Sequence, residues 1–352
     1  MWNITEVTKR LGISYPIIQG PFGGNFSTTK LLATVSNAGG LGSFGAHHMK
    51  PDEIRNLVVE IRKLTQKPFA INLWVSDHDK DGLNISREIF EKNLSRLRPY
   101  FQGLGVQEPG YPERFGQRFE EQIDALIEMK PPVFSFIFGI PSKAILSECR
   151  KRGIVTVGTA TTVDEAIALD EAQVDLIVAS GFEAGGHRAS FLRSAEDSLT
   201  GTFALVPQVV DRVKAPVIAA GGIADRRGVA AALALGAQAV QIGTAFLACE
   251  ESGANDLHRA KLFEDAARYT ALTRVFTGRL ARGIRNRFME EMEPFMNELP
   301  PYPAQAWFTS RFKQAAVEQG RGDLFSLWSG QAAPLLRYKK AGELMRALTA
   351  IV

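Results

Sequence analysis

The chain has 352 residues, a formal net charge of +3, 45% hydrophobic and 22% charged residues, the profile of a soluble globular protein of enzyme size. So even a charge balance, with no long run of one sign, excludes a nucleic-acid-binding tail. No run approaches the ~20 apolar residues of a membrane span.

The N-terminus, MWNITEVTKRLGISYP, lacks a basic segment followed by an apolar one. Cys149 and Cys249 stand far apart with no metal-ligand spacing. Buried thiols in a cytoplasmic protein with no metal site are therefore expected.

A unit of apolar run, Gly-rich turn and helical stretch recurs in chain order. PIIQG (16–20) leads into FSTTKLLATVSNAGG, where Leu31, Leu32 and Val35 keep helical spacing and Ser27 is the expected cap. LGSFGA (41–46) precedes KPDEIRNLVVEIRKLTQ, with Pro51 at the helix start and carboxylates in its first turn. PFAINLWV (68–75) is the third run, and PVFSFIFG (132–139) the fourth. GIVTVGTA (153–160), VDLIVASG (174–181), APVIAAGG (215–222) and QAVQIGTAFL (238–247) complete the set.

Eight runs of near-continuous hydrophobicity, most followed by helical patterns, predict parallel strands buried on both faces. Their number predicts an α/β fold, a closed (β/α)8 TIM barrel, rather than an open doubly wound sheet. A barrel takes roughly 250 residues, which leaves about 100 for additions. The expected division is a ligand-binding barrel over 1–249 with a polar insertion at about 76–115. A mostly helical second domain follows over 250–305, and barrel-closing helices over 306–352.

In such barrels the active site forms on the loops after the strands' C-terminal ends. Gly221–Gly222 follows the seventh run and Gly243–Thr244 the eighth. These loops let backbone N–H groups approach a phosphate, and neither is a dinucleotide or Walker sequence. A cofactor with a single phosphate is the expected ligand. His187 follows the sixth run in SGFEAGGHRAS, behind Gly185–Gly186, whose missing side chains leave it unscreened. It is the candidate catalytic group. His47 and His48, after the second run, share a rim, and one of them can face a substrate.

DHDKDGLNISRE (77–88) matches the calcium-loop pattern, with Asp77, Asp79, Asp81, Gly82 and Glu88 in place. INLWVS before it reads as strand rather than helix, and no partner loop exists, so a polar rim loop is expected instead.

PIIQGP, SNAGGLGS, INLW, EAGGHR, IAAGGIAD, QIGTAF, FTGRLARGIRN and LWSGQ together resemble the nitronate monooxygenase family, formerly 2-nitropropane dioxygenases, over residues 13 to 335. The resemblance implies FMN in the barrel mouth with His187 beside the substrate. It implies cofactor contacts from Asn72, Ser180, Gly185, Gly222, Gln241, Ile242, Gly243 and Thr244, with Pro21 and Phe22 near the isoalloxazine ring. Ser180 stands where relatives commonly carry Gln, and Ala189 where Gly is common.

The implied reaction is oxidation of an alkyl nitronate such as propionate 3-nitronate by O2, giving a carbonyl compound and nitrite. His187 either hydrogen-bonds the nitronate or deprotonates a neutral nitroalkane. Arg279, Arg282 and Arg285 could attract an anion or form a solvated basic face. EAGGHR is shared with related flavin enzymes, so an NAD(P)H-dependent flavin reductase acting on a quinone or enoyl thioester is the alternative. A non-redox barrel lyase comes after it.

Overall fold

A computed structural model describes residues 2–75 and 80–350. The eight expected runs form eight parallel strands: β1 (Ile17–Gln19), β2 (Gly42–Gly45), β3 (Phe69–Trp74), β4 (Val133–Ile137), β5 (Val155–Ala160), β6 (Leu176–Ser180), β8 (Val217–Ala220) and β9 (Ala239–Ile242). The short β7 (Gly186–His187) falls between the sixth and seventh runs. Neighbours follow the order β1-β9-β8-β6-β5-β4-β3-β2. The ring closes where Gln19 N–H donates to the Leu41 carbonyl and Leu41 N–H to the Ile17 carbonyl, both at 2.9 Å. This is the (β/α)8 barrel that the continuous hydrophobic runs predict.

The strands divide their side chains between two apolar layers, as the two-residue strand period requires. Ile18, Ala70, Val133, Val157, Val178, Ile218 and Ala239 fill the interior with Val7 and Leu11 of the helix Glu6–Leu11. Ile17, Ile71, Phe134, Ile177, Ala219 and Val240 face the surrounding helices. The cap of helix Thr29–Asn37 is Thr28, whose hydroxyl accepts from Leu31 N–H at 2.9 Å. Ser27, one residue earlier, instead receives the Phe22 and Gly45 N–H groups at 3.0 and 3.2 Å. It anchors a loop of the barrel mouth.

A second core lies outside the barrel and is rich in rings. Phe90 and Phe101 of helix Arg87–Gly103 meet Phe276, Phe288, Phe308 and Phe312 there. Helix Ala304–Glu318, expected to close the barrel, belongs to this second core through Phe308, Phe312 and Ala316. Helix Ala341–Thr349 packs on the barrel instead, through Leu344, Met345 and Leu348. The stretch expected to be helical over 250–305 also carries β10 (Thr270–Thr273) and β11 (Ala281–Ile284), antiparallel to each other. β11 pairs in turn with β7.

Residues 77–79 of the calcium-like segment lie outside the described residues. Lys80–Leu83 is a helical turn, and a Cβ on Gly82 would lie 1.9 Å from the Tyr302 carbonyl oxygen. Glycine is needed there for close backbone packing. No helix among the described residues is long and apolar enough to cross a membrane.

Candidate active site

A cavity of about 610 Å3 opens over the C-terminal ends of the barrel strands, walled on its far side by the second core. Pro21, Phe22, Asn72, Ser180, Gly185, His187, Gly222, Gln241, Gly243 and Thr244 all line it. Ile242 does not. It is fully buried in the layer between strands and helices, because alternation along β9 sends Gln241 to the mouth and its neighbour outward. Its carbonyl still serves the site's frame by accepting from Gly20 N–H at 2.9 Å.

The paired glycines before His187 have separate reasons. A Cβ on Gly185 would meet Gly330 N at 2.5 Å and the Ser329 carbonyl carbon at 2.6 Å. Gly186 has φ of 74°, a left-handed conformation that costs an L side chain about 1–2 kcal/mol. Together they turn the chain into β7, where His187 lies opposite Ala281 of β11.

His187 Nε2 is 2.9 Å from Thr277 Oγ1. Among the described residues Nδ1 has no hydrogen-bond partner, and it is not sealed from the cavity that the ring lines. Trp74 meets the ring edge-on at 5.0 Å, and Trp328 stands 5.5 Å away. Burial, then the Arg279 charge, holds the imidazole pKa down at about 3. At neutral pH the site presents an uncharged imidazole.

His47 stacks on Trp74 with ring centroids 3.7 Å apart and planes within 7°. Its buried Nδ1 has no partner among the described residues, and burial holds its pKa well below the ordinary value. His48 stays exposed at the rim.

The arginines divide by position. Arg279 stacks 3.5 Å over the Phe138 ring, behind Trp74. Arg282 is buried and donates to the Phe182 carbonyl at 2.9 Å and to Thr270 Oγ1 at 3.1 Å. Arg285 is half-exposed near Glu293. None of the three lines the cavity. Arg188, next to His187, is buried and had no expected role. Its guanidinium donates to the carbonyls of Gly181, Ser180 and Ser198 at 2.7, 3.0 and 3.2 Å, clamping the loop that carries His187. Desolvation lowers its pKa to about 10.

Thr244 Oγ1 accepts from Gly330 N–H at 2.9 Å, so its own O–H stays available to donate. Thr277, Trp74, Trp328 and Lys313 also line the cavity without having been singled out. Trp74 lies in INLW, Thr277 in FTGRLARGIRN and Trp328 in LWSGQ, so the motifs held three of the four; Lys313 lies in none of them.

A profile of the nitronate monooxygenase family matches residues 5–350. A probable nitronate monooxygenase of Staphylococcus haemolyticus is 42% identical over 99% of this chain and 97% of its own. A homologue of the same name from Staphylococcus aureus is 43% identical over 98% and 96%.

The chain belongs to the nitronate monooxygenase family.

A solved nitroalkane oxidase from Streptomyces ansochromogenes superposes with a TM-score of 0.88 at 35% identity, covering 97% of this chain and 96% of that one. FabK from Thermotoga maritima follows at TM-score 0.75 and 31% identity, covering 98% and 94%. As a member of this family of flavoenzymes, the protein is an oxidoreductase.

Proposed function

We propose that the protein oxidises alkyl nitronates, propionate 3-nitronate among them, with O2 to a carbonyl compound and nitrite, using FMN in the barrel mouth. The observation that carries this is His187. It is a neutral imidazole held through Nε2 by Thr277, with Nδ1 available to the cavity.

The residues present suit FMN. Gly221 and Gly222 have φ of 105° and 72°, and Gly243 opens helix Thr244–Leu247 with no side-chain cap. Among the described residues, the N–H groups of Gly222 and Gly243 donate to no protein acceptor. Such amides suit a phosphate, and the Thr244 hydroxyl adds a donor. Asn72, Ser180 and Gln241 would meet the polar edges of the ring system, with Gly185 leaving room and Pro21 and Phe22 giving apolar contact. When bound, FMN would take electrons from the nitronate and pass them to O2.

The Thr277 hydroxyl has one hydrogen and two acceptors, His187 Nε2 at 2.9 Å and the Arg279 carbonyl at 3.2 Å. Donation along the shorter contact puts the imidazole hydrogen on Nδ1, which then donates to an anionic nitronate oxygen. An imidazole with a pKa near 3 is a weak base, so abstraction of a proton from a neutral nitroalkane is disfavoured. Trp74 and Trp328, both beside the His187 ring, give the cavity an apolar wall there.

The test is aerobic incubation with propionate 3-nitronate, with nitrite and carbonyl product measured and the released cofactor weighed by mass spectrometry. Nitrite in step with substrate loss, together with FMN, is the expected result. A flavin protein that leaves the nitronate intact but is reduced rapidly by NADH or NADPH would move the assignment to a flavin reductase.

A further inference from the structure

The cavity has a part that the nitronate chemistry at His187 does not use. Helix Ala304–Glu318 turns one face to it, with Ala306, Ser310 and Lys313 at helical spacing all lining the wall. Ala306 and Ser310 are small, while Trp307 and Thr309 of the same helix also line the cavity. Leu324 and Phe325, shortly after the helix, line the cavity too.

The Lys313 ammonium stands 4.4 Å from the centroid of the Phe26 ring. Among the described residues it forms no ion pair and no hydrogen bond, and no carboxylate acts on it; burial alone pushes its pKa down to about 8. Nζ is not sealed in protein, and the residue lines the cavity. Desolvating a cation without a counter-charge is costly, and a single aromatic face offsets only part of that cost. A packed methionine would be cheaper for the fold. An ammonium kept in such a place at a ligand cavity wall is set to receive an anion. The cofactor phosphate is met by the Gly222 and Gly243 amides in the proposal above, which leaves the substrate to supply that anion.

We infer that Lys313 forms an anion subsite of this cavity and selects nitronates that carry a carboxylate at the end remote from the nitronate group. The choice of nitronates rests on the proposed function; the anion subsite does not. Apolar neighbours such as Phe26 and Leu324 suit a short aliphatic stem between the two charged ends.

The test uses the flavin-loaded full chain as wild type, Lys313→Met and Lys313→Arg. Butanoate is titrated while flavin absorbance and the fluorescence of the cavity tryptophans Trp74, Trp307 and Trp328 are followed. Saturable binding to wild type is expected, weakened about tenfold or more in Lys313→Met and largely recovered in Lys313→Arg. The ratio of kcat/KM for propionate 3-nitronate over propyl-1-nitronate should fall by a similar factor in Lys313→Met. That variant should melt at or above wild type, because it removes an unpaired buried charge.

Butanoate binding that ignores the substitution, or equal loss on both nitronates, would overturn the subsite. Loss of FMN from Lys313→Met would assign the lysine to the cofactor phosphate and overturn it as well, as would a much lower melting temperature. Should wild type oxidise no nitronate, the proposed function fails while the butanoate titration still decides the subsite.

Discussion

Thr277 Oγ1 lies 2.9 Å from His187 Nε2, across 90 residues of sequence, and the same hydroxyl receives the Arg279 N–H at 3.3 Å. The threonine is thereby fixed by its own turn before it touches the imidazole. It sets both the ring's orientation and the nitrogen that carries the hydrogen. Thr277→Val keeps the shape and removes this control. We expect kcat/KM for a nitronate to fall about tenfold, the worth of one hydrogen bond, with Thr277→Ser staying close to wild type. Equal activity in the valine variant would detach Thr277 from the mechanism.

With its pKa held near 3, His187 does not titrate in the neutral range. For a preformed nitronate, kcat/KM should therefore be level from about pH 6 to 8, without the inflection near 6.5 of an ordinary histidine. The neutral nitroalkane should be a much poorer substrate than its nitronate at the same pH. An inflection near 6.5 that disappears in His187→Asn would show that the imidazole charges during turnover.

Three histidines are held neutral by burial: His187 at about 3, His258 at about 4, and His47 well below its ordinary value. Unfolded, each takes up a proton near pH 6.5. Between roughly pH 6.5 and 4 the unfolded chain thus binds more protons, so stability falls as pH falls. The melting temperature should drop steadily from pH 7 to pH 4.5, and substituting His258 by Asn should make the decline shallower. A melting temperature that rises on acidification would contradict the buried neutral state.

Gly185 and Gly330 pack back to back. A Cβ on either meets the other's backbone nitrogen within 3.0 Å. Gly185→Ala should cost about 1–3 kcal/mol and weaken FMN retention, because it displaces the strand that carries His187. Differential scanning calorimetry and the flavin-to-protein ratio measure both effects. Unchanged melting would mean that the Ser329–Gly330 segment yields freely.

The barrel was legible because parallel strands buried on both faces write themselves as unbroken apolar runs. The Gly loops at their ends located the cavity for the same reason. Alternation along β9 also held the answer for Ile242, since placing Gln241 in the mouth turns its neighbour away. Other features left no local trace. β7 is two residues long, and its pairing with β11 joins segments about 95 residues apart, so the TALT and ARGI strands read as part of a helical stretch. Helix Ala304–Glu318 was visible by its period, but an apolar stripe does not say which core receives it. The Thr277 contact and the isolation of Lys313 exist only once the chain is folded, when it becomes clear which charges have no partner.

The central claim is that a nitronate bound beside His187 gives electrons to FMN. It is tested most directly by the visible absorbance of the purified protein under anaerobic conditions, before and after adding propionate 3-nitronate. The account predicts flavin bands that change at once with the nitronate, with the change largely lost in His187→Ala although that variant keeps its FMN. Flavin bands that ignore the nitronate, or a protein that takes up no flavin, would contradict it.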